Sequence, residues 1–336
     1  MERDAAVTPV RRRDLDEDDV RVRPGRGSRP RSRLRPRHAE AEAGTVLTVD
    51  RGRYTCLVDG ERPVLAMKAR ELGRKGVVVG DRVALVGDTS GAPDTLARIV
   101  RVSPRTSVLR RTADDTDPIE RVIVANAEQL VVVTALADPE PRPRLIDRCL
   151  VAAYDAGMRP LLCLTKSDLA PPDALVAAYA PLHVPYVVTR RGHPPDVLAE
   201  QLRDTISVLV GHSGVGKSTL VNALVPDAAR STGVVNAVTG RGRHTSSSAV
   251  ALRLPSGGWV VDTPGLRSFG LAHVDPARVV AAFPDLAESA ATCPPACSHL
   301  GAECALDAWV AAGHADPRRL SSLRRLLLSR ERADET

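Results

Sequence analysis

The 336-residue sequence predicts three folded domains: a small β-barrel, an α/β domain with a mainly parallel sheet, and a small, mainly α-helical C-terminal domain. Three observations support this prediction. Short β-branched runs broken by turn residues fill positions 44–111, longer apolar runs alternate with helical patterns from position 121, and three cysteines and a histidine crowd into 293–304. The predicted limits are 1–43 for a disordered extension, 44–111 for the barrel, 112–270 for the α/β domain and 271–336 for the C-terminal domain.

Composition narrows the class of protein. A hydrophobic content of 43% supports real cores. No apolar run approaches the roughly 18 residues of a membrane span, and the start lacks the apolar core of a signal peptide, so we expect a cytoplasmic protein with no membrane partner. The net charge of +6 favours nucleic acid as a partner. Because aromatic residues make up only 2%, contact with RNA should depend on arginine and phosphate.

The N-terminal extension, residues 1–43, has few apolar residues and no hydrophobic period, which predicts disorder. An acidic run at 14–19 precedes eight arginines between positions 21 and 37. Two interpretations stay open. The basic half lies on nucleic acid, or the acidic half folds back on the basic half of a solvated tail.

Four short apolar runs in the barrel region, at 44–49, 54–58, 77–79 and 82–86, predict strands, and turn dipeptides separate them. The one segment of near-helical length is 68–74. The size suits an oligonucleotide-binding (OB-like) barrel, although an SH3-like barrel fits the composition equally well.

The α/β region begins with nearly continuous apolar runs at 122–126, 129–134 and 159–164, as expected for strands covered on both faces. Further strands are predicted at 184–188, 206–210, 249–254 and 259–261. Helical patterns fall at 144–156, 173–180 and 195–202, which gives the alternation typical of a mainly parallel sheet.

A phosphate-binding loop follows the strand at 206–210 and opens a helix. Its residues are Gly211, His212, Ser213, Gly214, Val215, Gly216, Lys217, Ser218 and Thr219. The pattern G-x-x-x-x-G-K-[ST] turns backbone N–H groups and a helix N-terminus toward phosphate oxygens. Lys217 supplies charge to the β- and γ-phosphates, and the Ser218 hydroxyl is placed to ligate Mg²⁺. The loop predicts a nucleoside triphosphate without naming the base.

Two further motifs resemble those of the Ras-like GTPases. Thr165, Lys166, Ser167 and Asp168 follow the strand at 159–164 and resemble the guanine-specificity motif N-K-x-D, with threonine in place of asparagine. The Asp168 carboxylate can accept from both guanine N1–H and the exocyclic amine. Asp262 and Gly265 fit D-x-x-G, in which the acid holds Mg²⁺ through water and the glycine senses the γ-phosphate. Between this motif and the phosphate loop, His244 and Thr245 resemble a switch-I element, and Thr245 is a second candidate Mg²⁺ ligand.

The order of these motifs is unusual, because the base motif precedes the phosphate loop. This order predicts a circularly permuted G domain. The position after Gly265 holds Leu266, where Ras-like enzymes carry a glutamine that positions water. Slow intrinsic hydrolysis is therefore expected, and His244 is the nearest candidate within the chain for the missing group.

Cys293, Cys297, His299 and Cys304 are spaced C-x3-C-x-H-x4-C, a ligand set typical of structural, tetrahedral Zn²⁺. Residues 317–330 carry a leucine stripe on a predicted helix. Its flanking arginines either contact RNA or solvate the surface.

The order of barrel, permuted G domain and Cys/His segment resembles the RsgA (YjeQ) family over about residues 44–330. The resemblance implies a GTPase of late small-subunit (30S) ribosome assembly that binds rRNA and hydrolyses GTP to GDP on stimulation by the subunit. We also expect one structural Zn²⁺ per chain, Mg²⁺ with GTP, and a monomer. The catalytic residues expected are Lys217, Ser218, Thr245 and His244. Alternatives are a P-loop ATPase or small-molecule kinase with a structural zinc module, and a non-catalytic RNA-binding assembly factor.

Overall fold

The computed structural model describes residues 38–73, 76–112, 119–226, 249–263, 270–295, 297–301 and 304–331. The arginine-rich segment 1–37 and the predicted residues His244, Thr245, Gly265 and Leu266 lie outside these ranges. Residues 40–336 group together as one unit, and the fold below is that of its described part. None of the helices described there combines the length and apolar character that crossing a membrane requires.

A five-stranded barrel opens the fold. Its strands are β1 (Glu42–Asp50), β2 (Arg53–Val58), β3 (Arg62–Lys68), β4 (Arg82–Gly87) and β5 (Ala97–Val102). The strand order is β1-β2-β3-β5-β4, and β4 pairs back onto β1. Every pair is antiparallel except β3 with β5. This is the arrangement of an OB-like barrel, with Val46, Cys56 and Ile99 fully buried in its core.

Some barrel elements differ from those predicted from the sequence. Strands β3 and β5 were not predicted, because arginines, a lysine and Pro63 interrupt their apolar pattern. The run 77–79 is not a strand, because Val79 forms only an isolated bridge to Val124 and its carbonyl accepts from the Ala125 amide. The segment 68–74 holds no more than a 3₁₀ turn at Arg70–Leu72.

The α/β region forms the predicted, mainly parallel sheet. Its strands are β8 (Gln129–Ala135), β9 (Arg159–Thr165), β10 (Tyr186–Val188), β11 (Ile206–Val210), β12 (Val250–Arg253) and β13 (Trp259–Asp262), and its helices are α1 (Pro143–Asp155), α2 (Asp173–Tyr179), α3 (Asp196–Gln201) and α4 (Lys217–Leu224). The order is β10-β9-β8-β11-β13-β12, with β12 alone antiparallel. The carboxyl ends of β9, β11 and β13 therefore meet at one edge of the sheet.

A two-stranded sheet lies apart from this sheet. Strand β7 (Arg121–Ala125) was predicted as a member of the parallel sheet, and that prediction is wrong: it pairs antiparallel with β6 (Val108–Arg111). The hairpin spans the predicted limit between residues 111 and 112. It is fastened to the barrel, since the Asn126 side chain donates to the Gly80 carbonyl at 2.8 Å.

The barrel and the parallel sheet share one hydrogen-bonded ladder. Strand β1 pairs antiparallel with β12 at Thr48 and Val250, so the two sheets join into one of eleven strands. Val250 pairs on its other side with Asp262, the last residue of β13. The barrel strand β1 is thus two strands away from the strand that carries Asp262.

The C-terminal region contributes α5 (Pro276–Ala281), α6 (Pro284–Ala290), α7 (Ala305–Ala311) and α8 (Pro317–Glu331). The helix predicted at 317–330 is therefore present. Leucines 320, 323, 326 and 327 of α8 are buried in the same apolar cluster as α1 and the sheet. The buried guanidinium of Arg148 in α1 donates to the Ser329 carbonyl at 2.6 Å, which fixes α8 along α1.

Candidate functional site

The phosphate loop is built between β11 and α4 where the main chain has little room. A side chain at Gly211 would overlap the Val133 carbonyl of the neighbouring strand. Gly216, which precedes the first turn of α4, has a φ of 92°, in the left-handed region that favours glycine. Both glycines of the motif are therefore required by geometry, and the loop they allow presents the helix N-terminus at the sheet edge.

Lys217 connects the phosphate loop to the end of β13. Its ammonium lies 2.7 Å from Asp262 Oδ1 and donates also to the Thr263 carbonyl. An ammonium has three N–H donors, so one remains for a phosphate oxygen. Thr263 in turn donates through Oγ1 to the Leu209 carbonyl at 2.7 Å. Thr263 was not predicted as a site residue, although its place inside D-x-x-G puts it at the same edge of the sheet.

The base motif is fastened to the phosphate loop by Thr165. Its hydroxyl donates to the Val215 carbonyl at 2.6 Å, and the Thr134 carbonyl lies farther away at 3.3 Å. Threonine, like the asparagine usual at this position, offers a donor to the phosphate loop. The substitution that the sequence analysis singled out as a departure therefore preserves a link between the two motifs.

The rest of the base motif faces outward. The Ser167 amide donates to the Thr189 carbonyl at 3.3 Å, which places the loop after β10 beside the motif. Lys166 has a φ of 59° and its ammonium donates to the Asp138 carbonyl, in the loop after β8. Asp168 is exposed at the rim.

His212 lies within the phosphate loop and is nine-tenths buried. Its Nδ1 is 2.9 Å from the Ser213 carbonyl, and its Nε2 has no partner among the described residues. Burial lowers the pKa of His212, and the positive charges of Arg142 and Lys166 lower it further. The imidazole is therefore neutral near pH 7, and the positive charge in this part of the loop comes from the surrounding cations.

The four Cys/His ligand atoms converge in the C-terminal region, all within 4.8 Å of one another. Cys293 Sγ is 3.6 Å from both Cys304 Sγ and His299 Nδ1, and His299 Nδ1 is 3.4 Å from Cys304 Sγ. A tetrahedral zinc ion with Zn–S bonds of ~2.3 Å separates its sulfur ligands by roughly 3.8 Å. The donor set and its spacing thus fit zinc.

The other three cysteines of the chain lie outside this cluster. Cys56, Cys149 and Cys163 are buried apart from one another, and burial raises the pKa of each thiol to about 12.

Arg324 of α8 supports the Cys/His cluster through hydrogen bonds and an ion pair. It donates to the His299 carbonyl at 3.0 Å and pairs with Asp307 at 2.6 Å.

Comparison with known proteins identifies the family of this chain. The family model described as RsgA GTPase matches residues 102–272. A small ribosomal subunit biogenesis GTPase RsgA from Pseudomonas savastanoi pv. phaseolicola is 40% identical over 75% of this chain and 75% of its own. One from Gemmatimonas aurantiaca is 37% identical over 78% of this chain and 89% of its own. The chain belongs to the RsgA GTPase family.

Solved structures show the same architecture as this RsgA-family chain. YjeQ from Thermotoga maritima aligns with a TM-score of 0.64 and 25% identity, covering 87% of this chain and 99% of that one. YloQ, described as a circularly permuted GTPase, aligns with a TM-score of 0.62 and 22% identity over 89% and 98%. The circular permutation predicted from the order of the motifs thus agrees with the architecture of these solved structures.

The arginines of α8 in this RsgA-family GTPase make contacts within the protein. Four of them bond to groups of other elements, and whether they also contact RNA stays a prediction. Arg319 pairs with Asp285 at 2.5 Å, Arg325 lies 3.0 Å from Asp147, Arg324 pairs with Asp307, and Arg330 donates to the Val274 carbonyl at 3.1 Å. Arg318 is exposed and pairs with Asp316 at 2.9 Å.

Proposed function

We propose that this RsgA-family GTPase acts in late maturation of the small ribosomal subunit, where it binds rRNA as a monomer and hydrolyses GTP. The observation that carries the proposal is the joining of the base motif to the phosphate loop through Thr165 and Val215. A nucleotide bound at the loop would meet Asp168 on the same edge of the sheet. The small ribosomal subunit as a partner implies that the protein acts in the cytoplasm.

The nucleotide contacts follow from the donors at this edge. Backbone N–H groups of residues 211–219 and the third N–H of Lys217 would donate to the phosphates. The hydroxyls of Ser218 and Thr245 and, through water, the Asp262 carboxylate would hold Mg²⁺, which neutralises charge on the phosphates when bound. Gly265 would sense the γ-phosphate, and Asp168 would accept from two N–H groups of guanine.

Hydrolysis requires a water molecule that attacks the γ-phosphorus as the bond to the β–γ bridging oxygen breaks. GDP leaves with the electron pair, and the proton of water passes to the phosphate products. Leu266 has no polar group to orient this water. The ribosomal subunit would supply the missing group, or would order His244 to do so.

Zinc at Cys293, Cys297, His299 and Cys304 would have a structural role, because four protein ligands leave no open position for a substrate. It would fasten a segment whose two short helices, α6 and α7, bury few apolar side chains of their own. The metal would contribute to the folding of this segment, and GTP hydrolysis would take place at the phosphate loop.

The test compares hydrolysis of GTP and ATP by the purified protein with and without small ribosomal subunits. We expect stimulation confined to GTP. In Asp168→Asn, an amide replaces the acceptor, so preference should move toward xanthosine triphosphate. Asp173→Asn makes the same change at an exposed acid in the first turn of α2 and should keep GTP preference. Equal use of ATP, with no effect of subunits, would favour the small-molecule kinase instead.

A further inference from the structure

A cleft is lined by residues of both the barrel and the parallel sheet, beside the strands that join them. It has a volume of about 380 Å³ and is lined from both parts of the fold. Ile206, which begins β11, lies in the cleft, whereas Gly211 follows the last residue of the same strand. At about 3.3 Å per residue, the two ends of β11 are roughly 13 Å or more apart. The lining reaches Val261 but includes no residue of the phosphate loop, the base motif or Asp262, so the cleft is distinct from the nucleotide site.

The sheet wall of the cleft carries Trp259 in its centre. In the ladder Trp259 stands opposite Arg253 of β12 and opposite Ile206 of β11, so the three side chains lie on one face. Leu57 of β2 contributes apolar surface from the barrel wall. Trp259 is half-buried, and it is one of two tryptophans in the chain. Its indole offers a flat face on which a planar heteroaromatic ring can stack.

Two arginines stand at the rim of the cleft, Arg82 at the start of β4 and Arg253 at the end of β12. Both are exposed, and neither guanidinium forms a hydrogen bond or an ion pair within the described segments. This differs from Arg62 and Arg105 of the barrel region, which are paired with Glu42 and Asp81 at 2.7 Å. Cations held at a cleft without an acid of their own are suited to an anionic ligand.

One acid, Asp204, also lines the cleft. Together, Arg82, Arg253 and Asp204 carry a net charge of +1. A carboxylate beside an aromatic face can accept a hydrogen bond from an exocyclic amine of a base or from a ribose 2′-hydroxyl. The set of groups thus combines a stacking surface, two cations for phosphate and one acceptor.

We propose that this cleft binds one unpaired nucleotide of single-stranded RNA, with its base on Trp259 and its phosphate between Arg82 and Arg253. The volume falls within the ~300–1,000 Å³ of ligand pockets, and a cleft of this size admits an extruded base but excludes a duplex. The proposal deepens the proposed function, since it assigns part of the rRNA contact to a particular surface.

The test uses Trp259 as its own probe. In the full-length protein carrying Trp309→Phe, Trp259 is the sole tryptophan, and saturation with GDP occupies the nucleotide site. Titration with a five-nucleotide single-stranded RNA should quench its fluorescence, whereas a blunt RNA duplex should not. A free nucleoside monophosphate should quench only at much higher concentration, which separates RNA from a small metabolite as the ligand.

Variants of the cleft arginines test whether single-stranded RNA binds in the cleft. Arg82→Ala combined with Arg253→Ala should weaken RNA binding about tenfold or more. Arg98→Ala removes an exposed barrel charge outside the cleft and should weaken it far less. An equal loss in Arg98→Ala, or no quenching by single-stranded RNA, would overturn the proposal.

A second measurement does not depend on the Trp309→Phe variant. RNA containing 4-thiouridine, crosslinked to the otherwise unchanged protein, should label the peptide that contains Trp259. Labelling confined to other peptides would count against the cleft. Subunit-stimulated GTP hydrolysis, measured on the same preparation, reports on the proposed function separately. If that stimulation is present without labelling or quenching, only the inference about the cleft fails.

Discussion

At the scale of single residues, Thr165 shows how one hydroxyl can join two motifs that are fifty positions apart. Its bond to the Val215 carbonyl replaces a contact that water would otherwise make, in a position where Thr165 itself is buried. Removing the donor would leave that carbonyl without its partner, which costs about 1–3 kcal/mol.

Thr165→Val keeps the shape of the side chain and removes the donor. We expect the affinity for GDP and GTP to fall about tenfold, because ~1.4 kcal/mol corresponds to a factor of ten. Thr165→Ser retains the hydroxyl and should bind nearly as the parent does. Fluorescent-nucleotide titration measures both variants, and unchanged affinity in Thr165→Val would show that the bond does not position the site.

Residue identities at this site could be predicted from the sequence because phosphate and guanine chemistry fix both residue type and spacing. The phosphate loop and the base motif were found in this way. The bonds that position them were not, because Thr165, Thr263 and Lys217 bond to groups brought close only by the order of strands in the sheet. A sequence pattern carries no record of such long-range neighbours.

At the scale of elements, the prediction succeeded for segments whose apolar residues follow a clear helical period. It failed for strands whose place depends on which other strand they pair with. Helices α1 and α8 carry strong stripes and were located to within a residue or two. Strand β5, which lies between β3 and β4, alternates arginine with apolar residues and was missed, since the outward face of a barrel strand tolerates exposed charge. Strand β7 was assigned to the wrong sheet, because continuous apolar character does not reveal which partner a strand will have.

The Cys/His cluster gives a prediction for the C-terminal elements. Cys297→Ser should lose the metal, and Ser298→Ala, its exposed neighbour, should retain one zinc per chain. Zinc-finger peptides gain ~10–16 kcal/mol from the metal. Here α8 also packs on an apolar core, so we expect a smaller loss of about 3 kcal/mol, equivalent to a fall of roughly 5 °C in Tm for a unit of this size.

Elemental analysis of the purified proteins measures the metal, and thermal denaturation followed by circular dichroism measures the midpoint. A full complement of zinc in Cys297→Ser would remove this residue from the ligand set. An unchanged Tm after loss of the metal would show that the cluster has no structural role.

At the scale of the whole molecule, one apolar cluster crosses the predicted domain limits. It takes in Leu109 of β6, Leu150 of α1, Val261 of β13 and Leu323 of α8. A defect in one member should therefore lower the stability of all these elements together, as expected for a cooperative unit.

Leu323 and Leu328 provide a matched pair within α8, since the first is fully buried and the second is 44% exposed. Leu323→Ala should destabilise the protein by about 2–5 kcal/mol, and Leu328→Ala by less than about 0.5 kcal/mol. Urea denaturation should give the same midpoint for Leu323→Ala by tryptophan fluorescence and by circular dichroism. Separate midpoints would mean that the C-terminal helices unfold on their own.

The pairing of β1 with β12 bears on any attempt to divide this chain for study. A fragment ending near residue 111 would leave the second half of β1 with open hydrogen-bonding groups, and the complementary fragment would leave β12 as an uncovered sheet edge. Such edges recruit strands from other molecules. Truncated versions are therefore expected to self-associate and precipitate, and insoluble fragments would report on this exposed edge rather than on any intrinsic inability of either half to fold.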